Sequence, residues 1–294
     1  MSAAFSIDGC VLQAPSLEPG LYLTATPIGN LGDMTVRALR TLAAADRVLC
    51  EDTRVTRRLL DHYGINRRTT AYHEHNAAEM GARIADWIAS GDSVALVSDA
   101  GSPLISDPGD RLVAALVEAG HPVTVVPGPS AVVAGLSLSA FPSDAFLFAG
   151  FLPAKAAARR KRIAAFAGVD ALLVFYESPH RVVESLRDMA TVLGDRHAAV
   201  TRELTKRFEE VARGSLSAVI ADFAGREAIK GEFCIVVDRP AADMAPAFDL
   251  DAALGTALQT SSLRDAVARV MAESGLPRKT VYARALVIKA DGGP

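Results

Sequence analysis

The sequence predicts an α/β protein: two αβα domains in succession, followed by a small helical segment. Three observations predict it. Short apolar runs alternate with helical patterns along the first half of the chain, and each run stops abruptly in a polar, Gly- or Pro-rich stretch. The alternation restarts around Phe141-Pro142-Ser143. The last thirty or so residues change character and read as helix, tight turn, helix, at about the length a small appendage needs.

Taken in order, MSAAFSIDGCVLQAPSLEP (residues 1–19) has neither a basic start nor a long apolar stretch, and is expected to be a flexible lead-in rather than a secretion signal. LYLTA then runs into TPIGN, DRVLC into EDTR, TTAY into HEH, SVALV into SDAGSP and PVTVV into PGPSA. MTVRALRTLAAA and NAAEMGARIADWIASG carry helical spacing between them. Strands separated by helices pair in parallel and are covered on both faces, so residues 20–140 form a first α/β domain. AFLFAGFLP, ALLVFYESPH, HAAVTREL and GEFCIVVD read as four further strands, giving a second domain over 141–240. KAAARRKR lies between the first two as a basic helix or loop. Residues 241–261, opening with AADMAPAFD, read as a linker. Residues 262–294 contain two helical patterns broken at Ser274-Gly275-Leu276-Pro277, a helix-turn-helix-like tail.

Composition narrows the function. The 294 residues are half hydrophobic and carry a net charge of −3, so a sizeable core is available and no global basic field attracts nucleic acid. Nucleic-acid binding would rest on local patches. One is the tail, where Arg264–Lys289 holds six basic and two acidic residues. That surplus fits a solvated helical pair as well as an RNA-contacting appendage. The three cysteines, Cys10, Cys50 and Cys234, are too far apart for a disulfide framework or a CxxC metal site, which points to a reducing cytoplasm. No apolar segment is long enough to span a bilayer, so no membrane association is expected.

The polar punctuation falls at the same end of every strand, and in open α/β sheets ligands bind outside the carboxyl ends of the strands. A P-loop signature is missing, and no GxGxxG follows the first strand, which disfavours a nucleotide triphosphate or a dinucleotide. Gly- and Pro-rich loops without a basic phosphate clamp suit a ligand held by backbone groups. His73 and His75 share a strand face, but no third ligand accompanies them, so no metal is expected. Glu51, Asp52 and Arg54, and Arg202, Glu203 and Lys206, either line the cleft or form surface ion pairs. Glu177, His180 and Arg181 end a strongly apolar strand.

Together LYLTATPIGNLGDMTVRAL, EDTR, HEHN, LVSDAGSPLISDPG, VPGPSA, GFLP, FYESPHR and RELTK resemble the tetrapyrrole methylase superfamily, the class III S-adenosylmethionine-dependent methyltransferases. Within it they resemble the bacterial branch that methylates the ribose 2′-oxygen of a cytidine in the decoding region of 16S rRNA. The likeness runs from about residue 20 to the end. It implies S-adenosyl-L-methionine held in the cleft between the two domains, a homodimer, and 16S rRNA of the small ribosomal subunit as partner. Carried over residue by residue, the donor site comprises Pro27, Ala100, Gly101, Ser102, Ile105, Ser130, Ala131, Tyr176 and Glu177, with Leu204, Gly231 and Glu232. Tetrapyrrole-modifying members have a GxGxGD-like first loop where this chain has TPIGN, which favours the rRNA branch.

The resemblance implies in-line methyl transfer to a ribose hydroxyl, for which a general base is one option. Glu203, Lys206, Glu177 and His180 are the candidates, beside a mechanism by alignment alone. RNA would be held by Arg54, Arg159, Arg160, Lys161, Arg162, Arg202, Lys206, Arg278 and Lys279, with Arg57, Arg58 and Arg207 nearby. Two alternatives stand beside this reading: a corrin or tetrapyrrole methylase of the same superfamily, and an RNA-binding ribosome assembly factor.

Overall fold

The computed structural model describes residues 3–73, 76–106, 109–240, 250–274 and 276–291. The first elements correct the expectation of a flexible lead-in. β1 (Ala4–Ile7) and β2 (Cys10–Gln13) form an antiparallel hairpin closed at Asp8-Gly9. Both turn residues have positive φ, 50° and 81°, the backbone of a two-residue hairpin turn. Phe5 is buried in the first core, and the Ser6 N–H donates to the Tyr63 carbonyl at 2.7 Å. An apolar anchor and a turn dipeptide fix this segment.

The first sheet contains β3 (Gly20–Thr24), β4 (Arg47–Cys50), β5 (Thr69–Ala71), β6 (Ser93–Val97) and β7 (Val123–Val126) in the order β5-β4-β6-β3-β7. Every pairing is parallel. The central β6 is buried at all five positions, as a strand covered on both faces must be. α1 (Val36–Ala44) and α2 (Thr53–His62) cover one face with the hairpin; α3 (Ala77–Ala89) and α4 (Asp110–Glu118) cover the other. Thr35 caps α1 and Asp52 caps α2, each side chain accepting a backbone N–H that the helix leaves free.

α5 (Ala131–Ser139) packs on the second sheet, joining the two halves. Gly135 permits this closeness, since a Cβ there would lie 2.7 Å from the Cys234 sulfur. That sheet contains β8 (Phe146–Phe151), β9 (Leu172–Glu177), β10 (His197–Arg202), β11 (Glu210–Ser215) and β12 (Phe233–Val237), ordered β11-β10-β12-β9-β8. Sequence reading found four of these strands. β11 is an edge strand with no fully buried residue, so it lacks the apolar run that marks the others. Only β8 and β9 pair in parallel; the remaining ladders are antiparallel. α6 (Ala156–Ala164), α7 (Val182–Leu193) and α8 (Leu216–Ala224) accompany this sheet.

The C-terminal helices form their own compact unit. α9 (Leu250–Thr260), α10 (Leu263–Ser274) and α11 (Arg278–Asp291) close on Leu254, Ala257, Val267, Val270, Val281 and Ala285. The stretch expected as a linker therefore contributes a helix, whose Leu254 and Ala257 are core; residues 241–249 of it lie outside the described residues. Asp251 of α9 and Arg284 of α11 form an ion pair across this unit.

Candidate functional site

A cleft of about 380 Å³ opens where the polar ends of the two sheets meet. One wall comes from the loops after β6 and β7. Thr26 and Gly101 exchange backbone hydrogen bonds at 2.8 and 3.1 Å, which pins the β6 loop against the loop after β3. Gly101 has φ of +79°, a conformation that side-chain-bearing residues rarely adopt. The Ser98 hydroxyl donates within the same loop to the carbonyls of Ala100 and Gly101. The opposite wall comes from the ends of β8 and β9, from the start of the antiparallel β12 and from the loop after β10.

Ten of the twelve residues transferred from the resemblance line this cleft: Ala100, Gly101, Ser102, Ile105, Ser130, Ala131, Tyr176, Glu177, Leu204 and Glu232. Pro27 and Gly231 do not. Pro27 is buried, and its neighbour Ile28 takes the lining position. Gly231 sits behind, packed on Glu203 so closely that a Cβ would lie 2.5 Å from its Cγ. Sequence reading missed Asp99, Ser106, Phe151, Ser178, Pro179, Phe233 and Cys234. Phe233 and Cys234 open the antiparallel β12, and alternation, which sends adjacent side chains to opposite faces, gave no signal that both line the cleft.

The lining contains three carboxylates, Asp99, Glu177 and Glu232, and among the described residues no Lys, Arg or His. Such a cleft suits a cationic or neutral ligand and offers no side-chain counter-ion to phosphates or multiple carboxylates. Burial pushes the Cys234 thiol up to about 12, so it is an inert apolar wall group.

Among the four base candidates, three are engaged in ion pairs. Glu177 is buried, and its carboxylate accepts from the Ser178 N–H at 2.8 Å, the Ser185 hydroxyl at 2.6 Å and the Arg181 guanidinium at 2.7 Å. The Lys206 ammonium bridges Glu203 at 2.9 Å and Glu232 at 2.8 Å. The hydrogen bond from Lys206 holds the Glu203 carboxyl below its usual range, against the opposing effect of burial. Burial opposes the charge on Lys206, but hydrogen bonds to Glu232 and Glu203 outweigh it and raise its pKa. A lowered carboxyl and a raised ammonium are both poor bases at neutral pH. His180 is exposed and does not line the cleft.

Lys206 also ties the two halves together. It lies on Gly29, where a Cβ would approach its Cγ to 2.4 Å. The Asn30 N–H donates to the Thr205 hydroxyl at 3.1 Å beside it.

The expected RNA contacts divide. Arg159 is a correction: its side chain is 3% exposed, ion-paired with Asp188 at 2.7 Å, and donates to the Ala154 carbonyl at 3.0 Å. Helical phase turns it inward with Ile163. Arg160 binds the other oxygen of Asp188 at 2.6 Å, whereas Lys161 and Arg162 face solvent. Arg202 pairs with Glu210 and the Lys230 carbonyl. Arg54 pairs with its neighbour Asp52 but stays 85% exposed, and Arg278 and Lys279 are exposed on the first turn of α11. Among the described residues no cluster of three or more His, Cys, Asp or Glu is placed to hold a metal ion; His75 lies outside them. No described helix is long and apolar enough to cross a membrane.

Two α/β halves with a cleft at their strand ends, lined by Gly- and Ser-rich loops, define a class of protein. The family model for Tetrapyrrole (Corrin/Porphyrin) Methylases matches residues 20–220, and that of the RsmI C-terminal HTH domain matches residues 245–289. Solved structures agree on the fold. Diphthine synthase superposes with a TM-score of 0.60 at 16% identity, over 76% of this chain and 92% of that one. Uroporphyrin-III C-methyltransferase from Thermus thermophilus, complexed with S-adenosyl homocysteine, superposes with a TM-score of 0.53 at 20% identity, over 74% and 96%. Within the class, a protein of Mesorhizobium japonicum named Ribosomal RNA small subunit methyltransferase I is 50% identical, covering 96% of each chain. A protein of the same name from Xylella fastidiosa is 48% identical over 90% of this chain and 98% of its own. The chain belongs to the ribosomal RNA small subunit methyltransferase I family of tetrapyrrole-methylase-like proteins.

Proposed function

We propose that this protein is an S-adenosyl-L-methionine-dependent methyltransferase that methylates the ribose 2′-oxygen of a cytidine in 16S rRNA of the small ribosomal subunit. Within its family, the observation that carries the reading is the cleft itself: roomy, apolar in part, with carboxylates and no basic lining side chain. These residues fit a cationic sulfonium donor, which supplies an electrophilic methyl group. Gly101 and Ser102 on one wall and Ser130 and Ala131 beside them would hold its polar parts. Leu204, Phe233 and Cys234 would enclose its apolar surface.

The residues act by binding and alignment. None of the four candidate bases is both free and at the cleft, so orientation of the ribose hydroxyl against the donor carries the rate. Protonated Lys206 fixes Glu203 and Glu232 and thereby the wall at the start of β12. Exposed Arg54, Lys161, Arg162, Arg278 and Lys279 supply local positive charge for the phosphate backbone. The protein works as a cytoplasmic homodimer in this reading; the exposed edge strand β7, with Val125 at 62% exposure, supports self-association.

The test uses purified protein, labelled methyl donor and 30S subunits from a strain lacking the endogenous enzyme. Nuclease digestion and mass spectrometry should find the label on a cytidine 2′-oxygen. Label on a base, or no label despite donor binding, would overturn the substrate assignment. Light scattering at working concentration tests the dimer.

A further inference from the structure

One aromatic residue of the lining stands apart from the other two, Tyr176 and Phe233. Phe151 ends β8 at the cleft and is 55% exposed, whereas the aromatic residues beside it are largely covered. Its position follows from a bulge. Phe148 lies opposite Val174 and Phe151 opposite Tyr176, so β8 spends three steps where β9 spends two. A regular ladder would put Gly150 opposite Tyr176. The extra residue flips the alternation and brings Phe151 to the face of Phe148 and Tyr176. Gly150 makes the bulge possible with a φ of +65°, and it lies against Ser106 of the β6 loop, 3.3 Å from where a Cβ would be.

The ring is held rather than loose. Tyr176 receives Phe148 edge-on with centroids 4.8 Å apart and Phe151 with centroids 5.6 Å apart, at interplanar angles of 64° and 62°. An aromatic cluster anchored from behind therefore presents a ring at the rim of the cleft. Exposing over half of a phenylalanine forgoes much of its burial stabilisation, and the backbone is bulged to place it there.

We propose that Phe151 is the platform on which the base of the target nucleotide stacks, so that its ribose is presented to the donor deeper in the cleft. This rests on the rRNA-methyltransferase reading. Sequence-specific RNA recognition takes unstacked bases against aromatic side chains, and such a ring needs to be at the entrance, preorganised and solvent-accessible until the base arrives. The donor's adenine is a second planar group, but the enclosed walls at Leu204, Phe233 and Cys234 already offer it covered apolar surface, whereas Phe151 lies at the rim.

The experiment compares wild type with Phe151→Ala, Phe151→Leu and Phe151→Trp. Calorimetry measures affinity for S-adenosylhomocysteine, and methyl-transfer kinetics on 30S subunits give the half-saturating subunit concentration and the rate constant. Alanine and leucine should raise the half-saturating concentration or lower the single-turnover rate by about tenfold or more, the scale of one lost base–aromatic stack. Tryptophan should restore most of it, and affinity for S-adenosylhomocysteine should stay within about threefold across the set. Circular dichroism should show an intact fold, because the ring is mostly outside the core. A loss of S-adenosylhomocysteine affinity beyond threefold, with the subunit kinetics recovered at saturating methyl donor, would assign the ring to the donor and overturn the proposal, as would alanine kinetics equal to wild type. If wild type itself labels no 30S RNA, the underlying reading fails first and the proposal with it.

Discussion

Asp188→Ala should destabilise the protein by about 3 kcal/mol, the low end of the cost of breaking a buried ion pair. The structure sets that magnitude. The side chains of Arg159 and Asp188 are 3% and 5% exposed, and each Asp188 oxygen takes one guanidinium, Arg159 at 2.7 Å and Arg160 at 2.6 Å. Without Asp188, Arg159 remains charged, because a guanidinium does not give up its proton in a protein. It keeps the Ala154 carbonyl at 3.0 Å and the exposed Glu184 at 3.7 Å, which is why the low end applies. For a body of this size the loss corresponds to roughly 6–12 °C in Tm. Arg159→Met should cost less, about 1–2 kcal/mol, because Asp188 still pairs with Arg160. Arg159→Met with Asp188→Leu should recover much of the loss. Burial pushes the Asp188 carboxyl up, but its bonds to Arg160 and Arg159 outweigh that and its pKa is lowered. Its contribution is therefore complete above the unfolded carboxyl pKa and is lost as pH falls through the lower native value. Urea unfolding at pH 7 and near pH 3, followed by circular dichroism, measures both. A loss below about 1 kcal/mol for Asp188→Ala would refute the buried-pair argument. So would an Arg159→Met variant of unchanged stability whose RNA affinity falls as far as that of Lys161→Ala.

Gly29→Ala should lower S-adenosylhomocysteine affinity several-fold and cost about 1–3 kcal/mol of stability, since the added methyl group meets the stem of a lysine held by two carboxylates and, at 3.1 Å, the Leu204 carbonyl; calorimetry and urea unfolding check it, and an unperturbed variant would show that Lys206 moves freely. Lys161→Ala with Arg162→Ala should weaken 30S binding at low salt and flatten its salt dependence by up to about two units of log–log slope, with methyl-donor affinity unchanged; an unchanged slope would place these charges away from RNA.

Reading the sequence worked where the physics is local. Buried parallel strands such as β6 are uninterrupted apolar runs, and their ends are marked because the chain leaves the core in one step, Val97 to Ser98-Asp99. The cleft-lining loops were legible for the same reason. The hairpin at Asp8-Gly9 was missed: its turn dipeptide lies between apolar runs of only four residues each, in a segment expected to be a flexible lead-in. β11 was not, because EVARGS carries polar and small residues at an edge and is ordered by its partner β10. Arg159 could have been separated from Arg160, Lys161 and Arg162 by helical phase, since it lies four residues before the buried Ile163. What no pattern supplies is which residue of a loop points inward: Pro27, carried over from the resemblance, is buried while its neighbour Ile28 lines the cleft.

The two loops that face each other across the cleft share a backbone device. Among the described residues, six non-glycine positions have positive φ, and four of them flank two lining residues: Leu104 (72°) and Ser106 (71°) around Ile105, Glu203 (51°) and Thr205 (64°) around Leu204. Each left-handed residue costs about 1–2 kcal/mol, so this concentration at one cleft marks conformations imposed by the surroundings. On the second loop the restraints are visible: Asn30 bonds Thr205, Glu209 accepts the Thr205 N–H at 2.6 Å, and Lys206 holds Glu203. Ser106→Gly removes the penalty at one position without removing a lining apolar side chain. Relief of about 1 kcal/mol, reduced by the greater freedom of glycine in the unfolded chain, should leave stability unchanged or slightly raised. If the strain serves to hold Ile105 at the cleft, affinity for S-adenosylhomocysteine should fall several-fold in the same variant. A stability loss above about 1 kcal/mol would show that no strain was stored at Ser106. Unchanged ligand affinity would show that the strain has no bearing on the site.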